Sequence, residues 1–293
     1  MSALIRCLRP HQWAKNLLVA LPLLAAHRLG DAEAWLRVAI AFASFCLGAS
    51  AMYVFNDLRD RESDRQHPEK SKRPIASGEV TPQTAMTLMV VCVLAAAALS
   101  WLLPVDFAAW LACYLGLSGL YSWRLKRMLM LDVLTLAALY AVRLLAGGAA
   151  VEVPLSPWLL AFGMFMFLSI AFAKRYTELH ALDGEGREQS PGRAYLVVDL
   201  DLIRTVGPTS GYMAVLIFAL YLNSADAAFL YPRVDWLWLI CPLLLYWITR
   251  LWFAAQRGTL HHDPVVFALT DKASYAVGVA VLAVAALASM PAS

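Results

Sequence analysis

The chain alternates long apolar runs with short polar breaks, and most of the runs have the length of membrane spans. A hydrocarbon core about 30 Å thick needs about 20 apolar residues per helix. On that ruler the sequence predicts nine spans, near residues 13–29, 36–56, 83–103, 106–123, 129–149, 157–173, 205–223, 235–254 and 273–290. Two boundaries rest on helix breakers rather than on charge. Pro104-Val105-Asp106 divides the apolar stretch 83–123 into a hairpin, and Gly147-Gly148 followed by Glu152, Pro154 and Pro157 ends the next span. The first span is the weakest, because its purely apolar run is only Leu17–Ala26. A basic segment before a short apolar run also fits a signal peptide; the eight spans behind it argue against that.

Composition agrees with the pattern. The chain is 61% hydrophobic and 15% charged, where soluble domains carry about 25% charge. A mean hydropathy of +0.62 places it in the membrane class. The formal charge of +3 says little in total; its distribution says more. With a cytoplasmic N-terminus, 20 of the 24 lysines and arginines fall on the inner side, leaving Arg28, Arg37 and Arg233 outside and Arg143 within a span. That bias sets orientation and implies an odd number of spans. The two longest polar segments, 57–82 and 174–204, then cap the cytoplasmic face of a single domain covering 1–293. The five cysteines Cys7, Cys46, Cys92, Cys113 and Cys241 form no C-x-x-C pair and read as small buried hydrophobes.

Chemistry is concentrated at the end of the second span, in Asn56-Asp57-Leu58-Arg59-Asp60-Arg61-Glu62-Ser63-Asp64. On a helix, 57, 60 and 64 stand at i, i+3 and i+7, and 56, 60 and 64 at i, i+4 and i+8, so all four share one face. Clustered carboxylates repel, and oxygen-only donors suit magnesium completed by water and substrate phosphate. The plainer reading is a solvated helix end whose acids pair with Arg59, Arg61 and Arg65. Against it stands the segment that follows, Arg65-Gln66-His67-Pro68-Glu69-Lys70-Ser71-Lys72-Arg73-Pro74-Ile75-Ala76-Ser77-Gly78. Such a loop offers cations and backbone N–H groups to phosphate oxygens. Metal-binding acids beside a basic loop make a diphosphate cradle. Elsewhere, Arg143 inside a span is a functional-site candidate, because an ionisable group in lipid is costly. Adjacent His261 and His262 chelate poorly on a helix, and Asp263 and Asp271 read as structural or peripheral.

The run N-D-x-x-D-x-x-x-D-R followed by K-x-x-R-P-I-A-S-G resembles the first aspartate-rich motif of the UbiA superfamily of intramembrane prenyltransferases. The resemblance extends over nearly the whole chain, including Tyr121-Ser122, Leu125-Lys126-Arg127 and Arg143. It implies an all-α integral membrane protein whose nine transmembrane helices surround a central cavity, multi-pass in the cell inner membrane, with its active site on the cytoplasmic side. Typical members carry a second aspartate-rich motif after the sixth span. Here that place reads Ala173-Lys174-Arg175-Tyr176-Thr177-Glu178-Leu179, and two cations with one acid do not replace two aspartates.

That departure, with Arg9-Pro10-His11-Gln12-Trp13-Ala14-Lys15-Asn16 and Asp263-Pro264-Val265-Val266-Phe267-Ala268, resembles the decaprenyl-phosphate 5-phosphoribosyltransferase branch. It implies phosphoribosyl pyrophosphate as soluble substrate and a polyprenyl phosphate as lipid acceptor. Asn56, Asp57, Asp60 and Asp64 would then hold Mg2+ on the leaving pyrophosphate, with Asp57, Asp60 and Asp64 as the catalytic acids. Arg65, Lys70, Lys72, Arg73 and Ser77 would contact phosphate oxygens. Gln12, Lys15, Lys126 and Arg143 are candidates for the lipid phosphate, and Tyr121 for substrate contact. Lys174, Arg175 and Glu178 would take the phosphoribosyl part. The alternative is a conventional prenyl transfer to an aromatic acceptor, which should show the missing second aspartate pair. A transporter should show matched broken helices, and none is convincing; a phosphatidyl-type transferase needs a D-G-x-x-A-R run, which does not occur. No nucleic-acid partner is expected, and homo-oligomer formation is left open.

Overall fold

The computed structural model describes residues 2–66, 70–189, 193–260, 264–268 and 270–290. Asp263, His261, His262 and the His67–Glu69 part of the basic loop lie outside those residues. Among the described residues the regular structure is helical, with one isolated bridge between Gln189 and Leu196. In order the helices are α1 (Ala3–Leu8), a 3-10 segment (Pro10–Ala20), α2 (Leu21–Ala25), α3 (Ala32–Arg59), α4 (Arg61–Arg65), a 3-10 turn (Lys70–Lys72), α5 (Pro74–Ser77), α6 (Pro82–Ser100) and α7 (Val105–Trp123). A 3-10 turn (Leu125–Arg127) leads into α8 (Leu131–Ala150), then come α9 (Pro157–Gly184), a 3-10 turn (Val197–Asp199), α10 (Leu200–Leu222), α11 (Ala225–Leu230) and a 3-10 segment (Val234–Leu239). The chain closes with α12 (Ile240–Gln256), α13 (Pro264–Ala268) and α14 (Lys272–Ala288). Two compact units divide at residues 155 and 156.

Six helices are long and apolar enough to cross a membrane: Ala32–Arg59, Pro82–Ser100, Leu131–Ala150, Pro157–Gly184, Val197–Leu222 and Val234–Gln256. The protein is therefore multi-pass. The expected count of nine is not reached on that measure. The first expected span is a 3-10 segment followed by the five-residue α2. Pro22 has no N–H to return to the preceding turn, and His27 takes a left-handed conformation, φ 55°, so no continuous helix covers 13–29. Helix α14 has only 17 residues. The sixth expected span, 157–173, starts with α9, whose helix continues past it to Gly184 and carries residues 174–184.

In the first unit α3 is the central element. Asp31 caps it by accepting the Ala34 N–H at 2.9 Å, and its buried side chains are mostly small. That smoothness lets neighbouring helices approach: the Ser44 hydroxyl donates to the Ala96 carbonyl at 2.9 Å. The core rings Phe45, Phe107 and Tyr114 meet at centroid distances of 5.9 and 5.1 Å. The hairpin break falls at Pro104, as its sequence predicts. The next span ends where its breakers predict: α8 closes at Ala150, just past Gly147 and Gly148, and Glu152, at φ 56°, takes the left-handed turn. Gly147 also serves contact, since a Cβ there would lie 2.3 Å from the Val19 carbonyl oxygen.

In the second unit Ser156 caps α9, with its oxygen accepting the Leu159 N–H at 3.1 Å. Asp271 caps α14 at 2.8 Å to Ser274 N and binds Arg250 through two N–H groups at 2.5 and 2.9 Å. The Arg250 hydrogen bond holds the Asp271 carboxyl below the usual range, against the opposing effect of burial. A depressed carboxylate adds stability that is present above its unfolded pKa and lost as pH falls through the folded one. We expect Asp271→Ala to cost about 1 kcal/mol at neutral pH. Thermal unfolding should show the gap to wild type narrowing on acidification; a gap independent of pH refutes the ion-pair part.

Candidate active site

The aspartate run sits on the last turn of α3 and on α4. Asp60 caps α3, yet Asp60 N to Asn56 O (2.9 Å) and Asp64 N to Asp60 O (2.8 Å) keep the helical rise across the break. The four side chains divide into two pairs, each sharing one cation. Asp57 and Asp64, two turns apart and both buried, share Arg73, whose Nη1 donates at 3.0 and 2.7 Å. Asn56 and Asp60, one turn apart, share Lys126, whose Nζ donates at 3.2 Å to Asn56 and at 2.7 and 2.6 Å to the two Asp60 oxygens. Burial pushes the Asp64 carboxyl up, and Arg73 beside it pulls the other way.

The cations that meet these aspartates come from outside the Asn56–Asp64 run. Arg59 donates to the Trp123 carbonyl at 3.1 Å. Arg65 binds the Ala76 carbonyl at 3.1 Å and Glu62 at 3.3 Å. Lys70 acts on the Asp64 charge, while Lys72 is exposed. Ser77 lies within 3.3 Å of the Pro74 carbonyl and of Glu79, and Glu79 pairs with Arg6. Arg9, which no local spacing ties to the aspartates, donates through Nη2 to both Asp57 oxygens at 2.7 and 2.9 Å. The only local signal was its place in the Arg9–Asn16 run.

Arg143 stands apart from the carboxylates. It is buried, and its Nε, Nη1 and Nη2 donate to Asn16 Oδ1 (2.8 Å), the Leu139 carbonyl (2.6 Å) and the Tyr114 hydroxyl (3.0 Å). Its guanidinium also lies 4.6 Å from the Tyr114 ring centroid. The fully buried Asn16 belongs to the 3-10 segment that carries Gln12 and the buried Lys15. Arg143 thus anchors that segment to α8. Tyr121 donates to the buried Asp132 at 2.9 Å, a partner the sequence did not suggest.

In the second unit Lys174, Arg175 and Glu178 lie on α9, inside the helix rather than on a loop. Arg175 is 1% exposed and pairs with Glu178, whose side chain is 37% exposed. Its guanidinium also faces the buried Tyr195 ring at 5.8 Å. Arg175 therefore orients Glu178 from behind, and Glu178 presents the accessible group.

Magnesium was expected on Asn56, Asp57, Asp60 and Asp64. Among the described residues no three acid, imidazole or thiol side chains cluster closely enough to hold one ion; each aspartate meets a cation instead. The donor set nevertheless fits. Its ligands are all oxygens, and magnesium is usually held by one or two carboxylates plus water and substrate phosphate. Arg73 already places one positive charge between Asp57 and Asp64, the pairing a divalent ion also demands.

Long apolar helices and an aspartate-rich, cation-lined helix end define a multi-pass helical membrane protein with a polar site. A family model described as the UbiA prenyltransferase family matches residues 16–270. The chain belongs to that family and is a UbiA-family transferase. It is 36% identical to uncharacterized protein y4nM of Sinorhizobium fredii, over 92% of this chain and 53% of that one, so it spans about half of that relative's length. It is 33% identical to a decaprenyl-phosphate phosphoribosyltransferase of Mycolicibacterium smegmatis, over 93% of this chain and 87% of that one. A solved UbiA homolog from Archaeoglobus fulgidus, bound to GPP and Mg2+, has the same fold, with a TM-score of 0.72, 16% identity and coverage of 97% and 100%.

Proposed function

We propose that the protein moves a 5-phosphoribosyl group from phosphoribosyl pyrophosphate to a polyprenyl phosphate and releases pyrophosphate. One observation carries this reading over conventional prenyl transfer. Where a second aspartate pair is expected, α9 has Lys174 and the Arg175–Glu178 ion pair. A site with that charge suits a phosphorylated sugar better than a second magnesium-bound diphosphate. The phosphoribosyltransferase name of the Mycolicibacterium smegmatis relative supports it.

Magnesium held by Asn56, Asp57, Asp60 and Asp64 would neutralise charge on the leaving pyrophosphate. Arg65, Lys70, Lys72, Arg73 and Ser77 bind phosphate oxygens. Lys174 takes the sugar's phosphate, and Glu178, set by Arg175, a ribose hydroxyl. Gln12, Lys15 and Lys126 address the lipid phosphate, with Tyr121 bordering the same site and Arg143 holding the Lys15 segment in place. A lipid phosphate oxygen bonds to C1 as the C1–oxygen bond to pyrophosphate breaks. The acceptor is already anionic near neutral pH, so catalysis rests on positioning and electrostatics rather than a strong base. The aspartate end of α3 and the N-terminus face the cytoplasm of a cell inner membrane on this reading.

The test is a paired assay of purified protein with magnesium. One tube receives phosphoribosyl pyrophosphate and a polyprenyl phosphate, the other a polyprenyl diphosphate and 4-hydroxybenzoate. We expect product in the first that vanishes with EDTA. Product only in the second overturns the proposal in favour of prenyl transfer.

A further inference from the structure

We propose that Arg9 is a phosphate-binding residue stored on Asp57 in the free protein, and that this storage makes a divalent cation and a diphosphate bind together rather than singly. The inference rests on the reading of Asn56–Asp64 as a diphosphate site, but not on which group is transferred.

Arg9 lies 48 residues from Asp57 in sequence, and its Nη2 reaches both oxygens of that carboxylate. The carboxylate is on the closed side of the pair, with its side chain 3% exposed, and the guanidinium on the open side, at 21%. The Arg9 guanidinium also lies over the Tyr53 ring, 5.3 Å from its centroid, a second surface that accepts a cation. Its backbone is left-handed, φ 51° and ψ 60°, at the junction of α1 and the 3-10 segment. A non-glycine residue pays for that conformation only where its surroundings demand it. Here the demand is visible: the turn points the side chain back at Asp57.

Charge balance supplies the rest. Each of the three aspartates meets a cation, Asp57 both Arg9 and Arg73, Asp64 Arg73, and Asp60 Lys126, with Lys70 also acting on Asp64. A divalent ion arriving alone must take carboxylates from these cations and leave them without their anions. A pyrophosphate arriving alone must draw Arg9 and Arg73 away from the buried carboxylates of Asp57 and Asp64. Stripping one partner from a buried ion pair is strongly unfavourable. When both arrive, the aspartates pass to the metal and Arg9 and Arg73 to the diphosphate oxygens, so these buried charges keep partners. The two ligands are therefore coupled, each raising the affinity for the other about tenfold or more. Arg9 is suited to the exchange because it is the more open member of its pair and sits at a chain junction.

Arg9→Gln separates this role from a purely structural one by the signs of its effects. Removing the stored cation frees Asp57 from a competitor, so Mg2+ alone should bind about tenfold tighter. It also removes a phosphate ligand, so pyrophosphate in saturating Mg2+ should bind about tenfold weaker. Titration calorimetry of the full-length protein in detergent, with Mg2+ alone, pyrophosphate alone and both together, reads all three quantities. Arg9→Lys should recover part of the pyrophosphate affinity, and Arg59→Gln, which removes a cation bonded to a backbone carbonyl, should change neither. Shifts of both affinities in one direction in Arg9→Gln, or independent binding of the two ligands to wild type, overturn the proposal while leaving the diphosphate site intact. A wild-type protein that binds no pyrophosphate in Mg2+ overturns the diphosphate reading itself.

Discussion

Asp64→Asn is expected to lower turnover by on the order of a hundredfold or more while the protein remains folded. Asp64 is buried and receives the Arg73 Nη1 at 2.7 Å. Burial raises its pKa, so keeping the ionised form there works against the stability of the free protein. Asparagine has nearly the same shape without that charge. Arg73 would retain Asp57 at 3.0 Å, so no guanidinium is stranded and little stability should be lost. A charge kept at a site where folding does not need it is best explained by a cation that arrives with substrate. The checks are initial rates in the phosphoribosyl assay and thermal unfolding of the same preparation. Full activity in a folded Asp64→Asn protein refutes the metal-binding role; unfolding of the variant refutes the claim that the charge is dispensable for the fold.

The second large effect belongs to Gly147→Ala, which should destabilise the protein by about 3 kcal/mol. A Cβ at this position would lie 2.3 Å from the Val19 carbonyl oxygen and 2.8 Å from its carbonyl carbon and Cα. Those are backbone atoms of the 3-10 segment, which Arg143 pins one turn away through Asn16, so they have nowhere to retreat. The control is Gly116→Ala in α7, where a Cβ meets nothing within 4 Å; exchange of glycine for alanine in an open helix position should be neutral or slightly stabilising. Unfolding curves for the two variants should move apart. Equal stability of Gly147→Ala and wild type refutes the close approach of α8 to the segment. A loss of stability should also disturb Lys15, which rides on the same segment, so any surviving activity is expected to show a raised KM for the lipid.

Much of this protein was legible in its sequence because the signals were local. Apolar runs long enough for a bilayer marked the membrane class and most of the helices, since helix length and hydropathy are properties of contiguous residues. The aspartate spacing put Asn56, Asp57, Asp60 and Asp64 on consecutive helical turns for the same reason, and the backbone bonds across Asp60 continue those turns into α4. Local signals failed where another part of the chain decides. The weak run at 13–29 is a 3-10 segment held to α8 through Asn16, Arg143 and Gly147. Gly147, near the end of its span, is also the surface against which that segment packs, and α9 continues as helix to Gly184.

The same division holds at the site. Sequence alone determined the class of protein, the family motif, and the presence of acids beside a basic loop. Only the tertiary structure decided the partners: Arg9 with Asp57, Lys126 with Asp60, Arg73 between Asp57 and Asp64, and Arg175 behind Glu178. The physical reason is that helical periodicity sets which neighbours share a face within a few turns. Which distant charge reaches a buried carboxylate depends on how helices pack and where the chain turns, and at Arg9 on a single left-handed residue.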